Sequence, residues 1–247
     1  MLDLIAAVAG GFSYALLVVA LVLPLTPRMR IFTFGFAVAW GAATVGLAAT
    51  GALAAQILVV PANVFAFAVF VALLFGAWFF SASLRRAIGE VPLAILVGLN
   101  SMRIGGVLFL LLAADGRLAT AFATSAGWGD IITGAVAIPL AVMLARSPKT
   151  PRLALAAWNA FGALDLVVAV SLGVLSADTP FRVFTQEPGT VLMTTLPWAM
   201  VPGLLVPIYL LIHFSIAVRL RRGAVRPRVS HAQINRRDTS AIGGSPL

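Results

Sequence analysis

Two ionisable residues stand in long apolar runs, where a charge is expensive: Arg103 in LAILVGLNSMRIGGVLFLLLA and Asp165 in WNAFGALDLVVAVSLGVL. A charge at the centre of a bilayer costs roughly 2.5–3.5 kcal/mol on insertion scales, so such residues face protein and pair. A guanidinium and a carboxylate at matched depth can neutralise each other, hold a polar or ionic ligand, or fix helix register. Asn100 lies three residues before Arg103 and so on its helical face, while Trp158 shares a face with Asp165 and Asn159 lies on the adjacent flank. Asp130 and Trp128, in AGWGDII, stand nearer a span end and would form the rim of the same cluster. The candidate ligand-binding residues are therefore Asn100, Arg103, Trp128, Asp130, Trp158, Asn159 and Asp165. Asp130 directly precedes an apolar run, so it is equally suited to capping a helix.

Catalytic chemistry finds little material. Cysteine is absent and there are only 2 histidines, which removes thiolate sites and multi-histidine metal or haem ligation within one chain. His213 is the histidine that falls in an apolar run, where a hydrogen-bonded core role suits it better than a proton relay. No lysine lies in an apolar run, which excludes a retinal-type Schiff base, and Walker, HExxH and GxSxG patterns are all missing. The reading calls for no cofactor or metal and leans away from an enzyme.

Composition names the solvent in which these residues must be positioned. With 61% hydrophobic and 10% charged residues, the chain has too little polar surface to cover a water-soluble globule. The apolar runs are continuous and near the roughly 20 residues that a helix needs to cross a bilayer. They do not alternate as barrel strands would. The expected fold is all-α: a polytopic integral membrane protein with seven transmembrane helices at about 3–25, 31–54, 61–83, 91–113, 128–146, 153–176 and 198–219. Residues 1–220 form a single bundle domain, and 221–247 form a basic, disordered tail. The N-terminal stretch MLDLIAAVAGG lacks a basic flank and runs on to Pro24, so it reads as a retained helix.

Of 17 basic residues, 14 fall on one side of these spans, which makes that side cytoplasmic and places the N-terminus outside. The natural compartment is the plasma (inner) membrane. The net charge of +9 owes much to arginines just after the last span, whose partners are anionic lipid headgroups and not nucleic acid. Counted inward from the outer ends, Arg103 and Asp165 lie at a similar depth of about 15–17 Å, so they can meet.

Small residues predict close helix contacts at Gly10–Gly11, Gly105–Gly106 and the Ala42–Gly46–Thr50 ridge. Pro197, Pro202 and Pro207 predict a kinked last span whose freed carbonyls need protein or water. Trp128 and Trp198 suit the outer interface and Trp78 the inner one, with Trp40 and Trp158 deeper. The outer segments 114–127 and 177–197 read as interfacial, the first with Leu118 and Phe122 on one face, and together they resemble a lid. Three functional classes fit. The first binds or transports a small polar or anionic molecule from the outer face. The second is a membrane enzyme acting on a lipid or isoprenoid-like substrate with an aspartate as acid or base, and the third is an accessory subunit of a membrane complex.

Overall fold

The computed structural model describes residues 1–147 and 152–225 and is built almost wholly of helices. Among the described residues, seven are long and apolar enough to cross a membrane: α1 (Leu2–Val22), α2 (Pro27–Ala49), α3 (Ala62–Phe80), α5 (Leu93–Ala114), α6 (Thr120–Arg146), α7 (Arg152–Leu175) and α8 (Val201–Arg222). The helical segment at the end of α8 is described to Val225. Residues 148–151 and, of the tail expected over 221–247, everything from 226 onward lie outside the described residues, while 221–225 continue the last helix.

A short helix not anticipated from the sequence, α4 (Ala82–Glu90), joins α3 to α5. Ser81 caps it by accepting from the Leu84 amide at 3.1 Å. Arg85 turns back to donate to the carbonyls of Trp78, at 2.9 Å, and Phe79, filling acceptors that the end of α3 leaves open. Ala87 and Ile88 are buried while Arg86 and Glu90 face outward, so α4 is amphipathic at the end of the bundle.

The fifth span departs most from expectation, because α6 begins at Thr120 and not near 128. Leu118 and Phe122, expected at the membrane interface, are 1% and 6% exposed and pack with Phe109, Leu112, Met193 and Trp198. Burying two large apolar groups inside the bundle outweighs laying them on its surface, and the helix grows backward to place them. Asp130 consequently sits well inside α6 and caps nothing. Trp198, expected at the interface, is 2% exposed for the same reason.

Helix α5 is not uniform. Leu99–Gly106 winds as a 3-10 helix between two α-helical halves, a long run for that geometry. At three residues per turn every third side chain eclipses, and the buried residues of this stretch are Asn100, Arg103 and Gly106. Gly106 is where α5 touches α6, since a Cβ there would lie 2.5 Å from the Asp130 Cβ and 2.9 Å from the Gly127 carbonyl oxygen. Gly134 makes the matching contact a turn away, 2.7 Å from the Ile104 amide nitrogen. Other expected close contacts are not made: Gly11, Gly46 and Gly105 meet nothing, and Ala42, Gly46 and Thr50 are exposed.

The proline-rich start of α8 opens into a π turn over Val201–Leu205 before settling into an α-helix. Pro207 has no N–H to give the carbonyl four residues back, which belongs to Gly203. Trp40 supplies the missing donor, its Nε1 lying 3.1 Å from the Gly203 oxygen, while its ring stacks on Phe70 at 4.8 Å. Trp40→Phe keeps the stacking and removes the donor. It is expected to destabilise the protein by about 1–3 kcal/mol, the cost of a buried carbonyl without a partner, read as a lowered Tm in detergent.

The two ends of the bundle are tied differently. At the N-terminal end Asp3 takes Arg117 at 2.9 Å and the Trp198 indole at 2.7 Å. A small antiparallel pair, β1 (Gln56–Ile57) with β2 (Val60–Pro61), packs there, and Gln56 reaches the Asp178 carbonyl at 3.2 Å. At the opposite end Arg219 donates to the carbonyls of Val91, at 2.6 Å, and Ile88, closing α8 onto the α4–α5 turn. Trp78 packs there against Phe79 and Phe214.

Candidate functional site

Arg103 is the hub of a buried polar cluster at the meeting of α5, α6, α7 and α8. Its Nε donates to Asp130 Oδ1 at 2.6 Å, and one terminal nitrogen donates to Asp165 Oδ2 at 2.5 Å. The other terminal nitrogen reaches the Gly162 carbonyl at 3.2 Å and His213 Nε2 at 3.1 Å. The Tyr209 ring lies 5.8 Å from the guanidinium carbon. The structure thus brings Arg103 and Asp165 together and adds Asp130 as an equal partner, so a single cation serves two carboxylates.

The chemistry of the donors settles the state of His213. A guanidinium has only donors, so the Nε2 beside it must be a bare acceptor, which places the ring proton on Nδ1. Nδ1 lies 3.0 Å from Asn159 Oδ1 and donates to it, and the Asn159 amide donates to the His213 carbonyl at 3.1 Å. His213 is therefore neutral and adds no positive charge. Trp158 holds the arrangement from the side: its indole donates to the Thr133 carbonyl at 3.0 Å, and its ring lies 5.4 Å from the imidazole.

The remaining sequence candidates fall differently. Asn100 is fully buried, but its amide returns to the Leu96 carbonyl at 3.0 Å, and its Oδ1 has no partner among the described residues. Trp128 is 54% exposed and stands on the outside of α6, away from the cluster. His213 and Tyr209 were not among the candidates, although their spacing of four residues in an apolar run puts them on one face of α8.

Glycines admit the cluster. A Cβ on Gly129 would fall onto the Asp165 carboxylate, and one on Gly162 would lie 2.6 Å from the His213 ring and 2.8 Å from Thr133 Cγ2. The carboxylate and the imidazole occupy the room that these residues leave empty.

Two cavities meet at Asp130. The larger, of about 240 Å³, lies between α3, α6, α7 and α8 under the N-terminal loops. Its walls include Phe67, Phe109, Phe122, Ala169 and Val170, and the charged residues that line it are Asp130, deep within the bundle, and the exposed Asp178 in the connection between α7 and α8. The smaller, of about 90 Å³, lies between α1, α5 and α8 and touches Arg103, Asp130, Ser13 and Tyr209. Phe109, Leu166, Val201 and Val206 border both and form the partition. The Asp130 side chain keeps 18% exposure, against 2% for Arg103 and 7% for Asp165, so Asp130 is the member of the trio that cavity contents reach best.

The fold and the site define an all-helical protein, with seven helices long and apolar enough to cross a membrane, built around a branched, buried ion-pair cluster. The chain belongs to the family described as a domain of unknown function, DUF8737, whose model matches residues 59–221. That match takes in α3 through most of α8 and every residue of the cluster, and leaves α1 and α2 outside it. No curated protein and no solved structure matches the chain.

Proposed function

We propose that this protein lies in the plasma membrane with its N-terminus outside, and binds or transports a small molecule that enters the larger cavity from the outer face. The observation that carries the reading is the cavity itself, a mostly apolar chamber of about 240 Å³ that reaches one carboxylate inside the bundle, Asp130. Ligand sites characteristically pair an apolar lining with a few placed polar groups. The orientation follows the basic residues, with Arg28, Arg30, Arg85, Arg86, Arg146 and Arg152 all at the end of the bundle opposite the N-terminus. Of the ligands weighed from the sequence, an anion loses support, because Arg103 is already engaged by two aspartates.

One observation favours the lipid-substrate reading as an alternative: α3 and α7 both line the cavity without packing tightly on each other, which suits entry from the side. Under that reading Asp130 would be the acid or base.

Ala169→Phe places a ring in the cavity from α7 and tests the pocket directly. Native mass spectrometry of the purified protein is expected to find a small molecule on the wild type and none on the variant. A variant that retains the same molecule, or a wild type that carries none, would count against a ligand pocket.

A further inference from the structure

We infer that the larger cavity takes a monovalent organic cation, a protonated amine or quaternary ammonium on an apolar body, with Asp130 as its counter-ion and a proton as its competitor. This deepens the pocket reading above and rests on it.

Charge is the first ground. Among the described residues no arginine, lysine or histidine lines the larger cavity, and its charged lining residues are the acids Asp130 and Asp178. Both the loop region and the buried part of the cavity therefore attract positive charge and repel negative charge. The second ground is the state of the Asp130 carboxylate. Oδ1 accepts from Arg103, and Oδ2 accepts no hydrogen bond from any described residue. With its side chain 18% exposed and lining the cavity, Asp130 can take a ligand N–H or a cationic methyl shell on the oxygen that no protein donor fills. The third ground is the walls, where Phe67, Phe109 and Phe122 supply aromatic rings, the side chains that best hold an ammonium group.

The competitor follows from counting charges around Asp130. The α5 helix contributes Arg103, α7 contributes Asp165, and α8 contributes the neutral His213 and the Tyr209 ring face. Along α3 and α1 the cavity-lining residues carry no ionisable side chain, and Asp178 stands apart in the loops. Two carboxylates on one guanidinium leave one negative charge uncompensated in a buried place, which a single added positive charge corrects. Either a proton on the carboxyl or a cation in the cavity does this, and binding one releases the other.

Full-length protein in detergent is titrated with three probes of similar shape: benzyltrimethylammonium, its neutral isostere neopentylbenzene, and benzenesulfonate. The ammonium is expected to bind at least about tenfold more tightly than either of the others. Because its charge does not change with pH, any loss of affinity on acidification belongs to the protein, and affinity is expected to fall as pH falls. Asp130→Asn leaves Arg103 paired with Asp165, so it should fold while losing both the ammonium preference and the pH dependence. Equal binding of the neutral isostere, or preference for the sulfonate, would overturn the inference and leave the pocket standing. Absence of binding by any probe would overturn it as well. The pocket reading itself fails only on the mass-spectrometric comparison with Ala169→Phe.

Discussion

Arg103→Ala is expected to be the most damaging single side-chain truncation in the chain, lowering stability by about 3–5 kcal/mol, the cost of breaking a buried pair and stranding its partner. The expectation is severe because the guanidinium has four described partners on three helices: Asp130 on α6, Asp165 and the Gly162 carbonyl on α7, and His213 on α8. Rescue is the sharper test. Neutralising Asp165 alone in the Arg103→Ala background leaves Asp130 without a counter-charge, so recovery should be partial. Changing both aspartates to asparagine should restore most of the folded yield, read by fluorescence-detected size exclusion and by Tm. Full recovery from the Asp165 change alone would show that Asp130 is not a true partner. An Arg103→Ala protein melting with the wild type would remove the cluster from the account of stability altogether.

Gly129→Ala should be the most damaging change of a single methyl group. The added Cβ would occupy the place of the Asp165 carboxylate, so either the carboxylate leaves Arg103 or α6 and α7 move apart. Overpacking of this kind costs about 1–3 kcal/mol, and here the loss of an ion pair is added to it. The control is Gly46→Ala on α2, where the new methyl meets nothing. In a helix interior that change is neutral or stabilises by up to about 1 kcal/mol, since alanine has the better propensity. Equal melting temperatures for the two variants would mean that α6 and α7 do not approach as closely as Gly129 implies.

The contrast between these glycines shows how far the residues alone carry. Both are glycines inside long apolar runs, and the ridge rule in fact picked the Gly46 stretch as the packed one. Whether a helix face is packed depends on how that helix is rotated relative to its neighbours, and a single helix carries no record of this. Asp130 makes the same point. Its neighbours in the chain suit a cap as well as they suit the rim of the cluster, and the choice falls to the cluster because Leu118 and Phe122 are buried and draw the start of α6 back to Thr120.

What the chain alone determined is whatever depends on composition along one dimension. The length and greasiness of its runs set seven helices able to cross a membrane, and the cost of charge in such runs singled out Arg103 and Asp165 as partners. The prolines near 202 marked the disturbed segment of α8, and the side chain that answers it, Trp40, comes from a helix more than 150 residues earlier in the chain. Tertiary structure decided the rest: the direct bond of Asp130 to Arg103, the neutral tautomer of His213, and the acidic lining of the cavity. The physical reason is common to all three. Each depends on distances between atoms of different helices, and these are set by rotation and close approach at glycines, which local hydrophobic pattern does not encode.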